Sequence, residues 1–240
     1  MFATILTDRH TDRPEYLALD LIDIRDKLND LLEIYNFLSQ LAVNLREKEL
    51  YKPVLIPYYH GKIKEDCGVS CYLFFESGGY VTFHIFEKRK IAYLDIVSNK
   101  KINRNIIEFV KDFSQAKNCN VYSKNNNEYI SNNNSVFGPH YFAFGEAYRN
   151  LSLDDLLEFQ SEIIKDIKMT PITNPVIVKT NKQQTLFIAI AESHIALTQT
   201  RKNLIIDVFS CKNFDLKKLE KIIAKYLSIK SEKLYQRFSK

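Results

Sequence analysis

The sequence predicts an α+β protein of two similar halves, forming a four-layer α/β/β/α sandwich with antiparallel sheets. Three observations predict it. The order of helical and strand-like patterns in the first half recurs in the second. A polar stretch with almost nothing to bury, SKNNNEYISNNNS from Ser123 to Ser135, divides the 240 residues nearly in half. The segment Tyr80 to Asn99 (YVTFHIFEKRKIAYLDIVSN) aligns with His194 to Cys211 (HIALTQTRKNLIIDVFSC), two residues shorter in its turn, which sets Asp95 on Asp207. The expected organisation is a first half over 1–122, a connector over 123–135 and a second half over 136–240. A helix followed by strands, twice over, suits halves whose sheets carry helices on one face and pack sheet against sheet.

Taken in order, a helical pattern runs through Leu21, Leu28, Leu31, Leu32, Tyr35, Leu38, Leu41 and Leu45. Strand-like runs follow at Val69–Phe75, Tyr80–Phe86 and Ile91–Val97, then a second helix with Ile106, Ile107, Val110 and Phe113 on one side. The second half begins with a helix through Leu153, Leu156, Leu157, Ile163, Ile164 and Ile167. Its strands are Leu186–Ala191, Ile195–Thr198 and Leu204–Phe209, and its last helix carries Leu216, Leu219, Ile222, Ile223 and Tyr226. Ser152, with Asp155 three residues on, and Asp215 supply N-caps. Gly78-Gly79 after Glu76-Ser77 marks a hairpin turn.

Composition narrows the class. With 45% hydrophobic residues and only 6 Gly and 6 Pro, the chain has enough apolar surface for a core, and collagen-like or disordered readings fail. The longest wholly apolar run, Leu186 to Ala191, is six residues, far short of a membrane span. Met1 to His10 lacks the pattern of a secretory signal, and four irregularly spaced cysteines read as reduced thiols, so a cytoplasmic protein is expected. The net charge is +5, with eleven Lys or Arg against four Asp or Glu after residue 200. Those charges interleave with apolar positions, which reads as the wet face of an amphipathic helix; nucleic acid is not the expected partner. Cys67 and Cys71 stand without a second ligand pair, so no metal site is expected.

In the aligned halves the paired positions differ in type: Gly79 faces Ser193, His84 faces Thr198, and Asn99 faces Cys211. One half keeps the His and the other the Ser and Cys, so one complete set survives if the halves associate like a dimer. Ala191-Glu192-Ser193-His194, followed by a strand, a turn and Asp207-Val208-Phe209-Ser210-Cys211, resembles the processing site and downstream acid of S-adenosylmethionine decarboxylases, the pyruvoyl enzymes of polyamine (spermidine) synthesis. Phe137-Gly138-Pro139-His140-Tyr141 is similar to the family's opening strand. Cys67-Gly68-Val69-Ser70-Cys71, with His84 fourteen residues beyond Ser70, looks like the complementary half of the internally duplicated members, here with the helper half first and the self-cleaving half second.

The resemblance implies cleavage between Glu192 and Ser193, converting Ser193 to a pyruvoyl group, with Ser70 and His84 assisting and Cys211 as the acid that reprotonates the substrate carbon. These residue types suit those steps. Histidine moves protons near neutrality. An ordinary thiol, with a pKa of about 8.5, stays mostly protonated there. The pyruvoyl carbonyl is an electron sink, the part pyridoxal phosphate plays elsewhere. Fragments of 192 and 48 residues would remain associated through a shared sheet.

Substrate residues are fainter. Glu87 resembles a carboxylate that holds ribose hydroxyls, one residue short in spacing, and Tyr141 and Phe142 can offer a stacking face. Where relatives place a stacking aromatic upstream of the CGxS segment, this chain has Lys64-Glu65-Asp66. That departure keeps two alternatives open: a pyruvoyl decarboxylase of another amino acid such as ornithine or arginine, and a non-catalytic homologue that regulates an active decarboxylase. Homodimerisation or pairing with such a homologue remains an open expectation.

Overall fold

The computed structural model describes residues 14–59, 63–123, 138–191, 193–201 and 203–227, and the backbone course of 232–237. The Asn-rich connector beyond Ser123, together with Phe137 and Glu192, lies outside the described residues. Among the described residues no helix is long and apolar enough to cross a membrane.

Each sequence half builds the same series of elements. The first runs β1 (Glu15–Ile22), α1 (Leu31–Asn44), β2 (Val54–Tyr58), β3 (Gly68–Phe74), β4 (Tyr80–Phe86), β5 (Ile91–Ser98), α2 (Asn105–Ser114) and β6 (Asn118–Ser123). The second runs β7 (His140–Glu146), α3 (Leu153–Asp166), β8 (Val176–Lys179), β9 (Gln183–Ile190), β10 (Ser193–Thr200), β11 (Asn203–Ser210), α4 (Leu216–Tyr226) and β12 (Glu232–Arg237). The sheets have matching orders, β2-β3-β4-β5-β1-β6 and β8-β9-β10-β11-β7-β12, and every pairing is antiparallel.

Among the described residues, alternation along the strands sorts side chains into three large cores and a small cluster of Phe86, Tyr93 and Phe209. Leu17, Leu19 and Leu21 of β1, with Val81, Phe83, Leu94 and Ile96, pack beneath α1 and α2. Ile195, Leu197, Leu204, Ile206 and Val208 pack beneath α3 and α4. The opposite faces of the two sheets meet each other through Tyr16, Tyr72, Phe74, Tyr80, Phe142, Phe187 and Ile205. The result is the expected sandwich of four layers: helices, sheet, sheet, helices.

Caps behave as their sequences require. Ser152 accepts from the Asp155 amide while the Asp155 carboxylate accepts from the Ser152 amide, a reciprocal capping box, and the Asp215 side chain accepts from the Lys218 amide. The exposed lysines of α4 alternate with buried Leu219, Ile222 and Ile223, which accounts for the charge of this stretch as a solvated face.

The beginning of the chain needs correction. The helical pattern expected from Leu21 onward is two elements: strand β1 ends at Ile22, and α1 starts only at Leu31, capped by Asp30. Asp23 and Lys27 take left-handed backbone, φ 56° and 62°, which interrupts any helix between them. Tyr16-Leu17-Ala18-Leu19-Asp20-Leu21 has both faces buried, because β1 lies inside its sheet between β5 and β6. A strand covered on both sides reads as a continuous apolar run, and such a run cannot be told from a helix by periodicity.

Candidate active site

The strand registers confirm how the two halves correspond. Thr82 pairs with Asp95 as Ala196 pairs with Asp207, so Gly79 and Ser193 occupy one repeat position, Tyr80 and His194 the next, and His84 and Thr198 another. Ser98 and Ser210 end their strands alike: each hydroxyl accepts the amide two residues on, of Lys100 and of Lys212, at 2.9 Å. Cys211 follows Ser210 as Asn99 follows Ser98.

The site collects between the sheets, at the end where β3 begins and β4 ends on one side and where β10 begins and β11 ends on the other. Ser70 and His84 are cross-strand partners, with Nδ1 of His84 2.9 Å from Ser70 Oγ. His84 is fully buried, whereas Ser70 is partly exposed. Its other ring nitrogen, Nε2, lies 2.9 Å from Nδ1 of His194 in the opposite sheet, and the two rings are nearly parallel.

Ser193 is buried at the start of β10, with φ at 150°. A residue bearing Cβ is strained there, and such conformations persist only where surrounding contacts hold them. Here the Tyr72 hydroxyl, from the other sheet, donates to the Ser193 carbonyl at 2.8 Å. Ser193 and Ser210 are strand partners, so half-buried Cys211 lies one residue beyond that pair. Cys211 packs on the cluster of Phe86, Tyr93 and Phe209, and the Phe209 ring stacks 4.9 Å from that of His84. Ser70, His84, Ser193 and Cys211 therefore belong to one inter-sheet neighbourhood, although they come from strands far apart in sequence.

Behind them lies a buried polar chain. His194 Nε2 comes within 3.2 Å of Asp207 Oδ1, off the direction of a hydrogen bond. Asp207 also meets His140 Nε2 at 2.8 Å and accepts from the Tyr80 hydroxyl at 2.8 Å. On its other side His140 turns Nδ1 toward Asp95, 3.7 Å away, and Asp95 accepts from Thr82 and Tyr16. Burial alone would push the Asp207 carboxyl up, but the imidazoles of His194 and His140 more than offset this and hold it well below the usual carboxylate range. The Tyr80 hydroxyl is driven well above its ordinary range by burial and then by the adjacent Asp207 charge, so it remains a donor.

Other expected residues fall elsewhere. Tyr141 points into the core beneath α3 and α4, on the face of its sheet opposite His84, where burial pushes its hydroxyl up to about 12. Phe142 does face the space between sheets, stacked 3.6 Å on Tyr16. Glu87 sits just past β4 and accepts from the Asn29 side chain at 2.8 Å. Lys64, Glu65 and Asp66 form a single 3₁₀ turn before β3, with Asp66 accepting from Arg89 Nε at 2.7 Å. Among the described residues no group of three or more His, Cys, Asp or Glu could hold a metal ion.

Sequence reasoning missed Tyr72, His194 and the carboxylate chain through His140. Alternation could have found His194, which shares a strand face with Ala196 and Thr198. Nothing in the local sequence marks Tyr72, whose partner is in the other half.

Residues 151–237 match the family model described as S-adenosylmethionine decarboxylase. No curated protein matches the sequence. Among solved structures, the adenosylmethionine decarboxylase of Aquifex aeolicus VF5 matches with 11% identity and a TM-score of 0.39, over 52% of this chain and 97% of that one. The similarity to the S-adenosylmethionine decarboxylase family model thus covers part of the second half, from the start of α3 to the end of β12.

Proposed function

We propose that this protein processes itself at Ser193 and then decarboxylates S-adenosylmethionine. The observation that carries the reading is the backbone of Ser193: φ is 150°, and its carbonyl is gripped by Tyr72 beside the Ser70–His84 pair. Strain held in place by a partner from the other sheet is a feature expected of a peptide that reacts with itself.

In the processing step Ser193 Oγ attacks the carbonyl carbon of Glu192, and the amide becomes an ester as the nitrogen leaves and takes up a proton. Loss of the Ser193 Cα proton then expels the Glu192 carboxylate, and water releases ammonia from the new terminus. Ser70 and His84 supply the proton acceptor that the hydroxyl requires. Tyr72 keeps the carbonyl of residue 193 fixed throughout.

The residues present fit a pyruvoyl group at this position: the first residue of β10 is buried, and its carbonyl, which a cut before it would leave in place, accepts from Tyr72. When formed, that group supplies the electron sink for loss of carbon dioxide. The Cys211 thiol, half-buried next to the Ser193–Ser210 pair, holds the proton that returns to the substrate carbon. Phe86, Tyr93 and Phe209 around it exclude water from that side.

Denaturing electrophoresis with intact-mass measurement tests the reading. Chains of 192 and 48 residues, the shorter one blocked at its new terminus, are expected; a single 28.1 kDa species from freshly purified protein overturns it. Release of labelled carbon dioxide from S-adenosylmethionine, compared with ornithine and arginine, then ranks the substrates. The amino-acid alternative draws on one observation, that the place of a stacking aromatic is taken by the charged turn Lys64–Asp66.

A further inference from the structure

His84 has a partner at each ring nitrogen, Ser70 Oγ on Nδ1 and His194 Nδ1 on Nε2, both at 2.9 Å. A neutral imidazole carries its proton on one nitrogen and accepts at the other. Only one hydrogen fits between two ring nitrogens at this distance: two would collide, and none would set lone pair against lone pair. The proton position on either ring therefore dictates that on its neighbour.

The choice is made at the far end of the chain. His194 Nε2 is 3.2 Å from Asp207 Oδ1, inside a site without exposure to water. At that distance an N–H is attracted by a carboxylate even when poorly aligned, and a bare lone pair is repelled, with little screening in a buried site. Tyr80 Oη and His140 Nε2 both sit 2.8 Å from the same carboxylate and fix its place. In the neutral ring a single proton on His194 Nε2 makes its Nδ1 an acceptor.

We propose that Asp207 and His194 are positioning residues which hold the proton of His84 on Nε2, leaving His84 Nδ1 to take the hydroxyl proton of Ser70. Ser70 and His84 then form a base rather than an acid, and its polarity is set from the opposite half of the protein. The repeat contains this device once. At the equivalent positions Thr185 and Thr198 bond to each other at 3.1 Å, and Tyr80 stands where His194 stands. The consequence for cleavage rests on the function proposed above; the proton position does not.

Nitrogen-15 NMR of the full-length chain labelled at histidine reads the proton position directly. In the wild type, His84 is expected to carry its proton on Nε2; a proton on Nδ1 overturns the proposal. Asp207→Asn lets an amide donate to His194 Nε2 and reverses the chain, so His84 should switch to Nδ1–H and cleavage should slow by about 100-fold or more, the scale of a lost general base. An unchanged His84 pattern in folded Asp207→Asn also overturns it. His194→Asn places an oxygen acceptor near the Nδ1 position and should preserve the proton on His84 Nε2, whereas His194→Gln should not. If the wild type shows the expected pattern yet never cleaves, the proposed function fails while this inference stands.

Discussion

Asp95 and Asp207 occupy the same repeat position in the two sheets and approach opposite nitrogens of one imidazole, His140, at 3.7 and 2.8 Å. Two equivalent carboxylates thus face each other across the sandwich, separated by a residue that only one half possesses. At the repeat position of His140 the first half carries Tyr16, whose hydroxyl donates to Asp95 at 3.5 Å. The duplication supplied a symmetric frame, and unlike residues at matched positions made its two ends chemically different.

Ser193→Ala removes the attacking oxygen and should leave one uncut chain by intact mass. Thermal unfolding should change little from the uncut precursor, because alanine meets the same backbone strain as serine. Any residual cut at this bond would sink the processing mechanism.

Cys211→Ala should separate the two reactions. Processing needs no thiol and should proceed, while carbon dioxide release should fall about 100-fold or more, the usual scale for a lost general acid. Equal damage to both reactions, measured by electrophoresis and labelled carbon dioxide, would contradict the assigned role.

Tyr72→Phe leaves the Ser193 carbonyl without its inter-sheet donor. A cost of about 1–3 kcal/mol is expected for a buried acceptor left unpaired, which corresponds to a fall of roughly 2–10 °C in melting temperature for a chain of this size. Cleavage should also slow in the folded variant, and an unchanged cleavage rate would show that the grip on the carbonyl is only structural.

The pH dependence follows from Asp207. Its carboxyl is depressed in the folded protein, so its ionised form stabilises the fold above the ordinary unfolded value near about pH 4. That contribution is lost as acid carries the pH below this range toward the folded value. Denaturant titrations from neutral to acid pH should show the gap between wild type and Asp207→Asn shrinking as pH falls; a gap that widens in acid would be the wrong sign.

Gly79→Ser asks whether a serine at the equivalent position of the first half can react as Ser193 does. A Cβ at Gly79 would lie 2.3 Å from the Val97 carbonyl oxygen, which is backbone and cannot yield cheaply. The variant should be clearly destabilised in thermal melts and gain no new cut at residue 79. A second cleavage there would show that Ser193 owes nothing to its own surroundings.

Much of this arrangement was legible in the chain itself. The duplication, the central strands, three of the four α-helices, the caps at Ser152 and Asp215, and the register matching Asp95 with Asp207 all follow from side-chain period and local hydrogen bonding, which depend on near neighbours. Ser70 and His84 were linked only through the family resemblance, and the strand pairing that sets them opposite each other came from the structure. The first helix, by contrast, was read to start too early, because β1 is buried on both faces and loses the alternation that marks a strand. Contact between sheets was invisible for a related reason: whether Tyr72 reaches Ser193, or His84 meets His194, depends on how two surfaces seat against each other, and no short-range pattern encodes that. Sequence alone determined two folded halves with complementary chemical groups. Only tertiary packing decided which groups touch, because burial between sheets removes water as an alternative partner and leaves each polar atom to find its match across the interface.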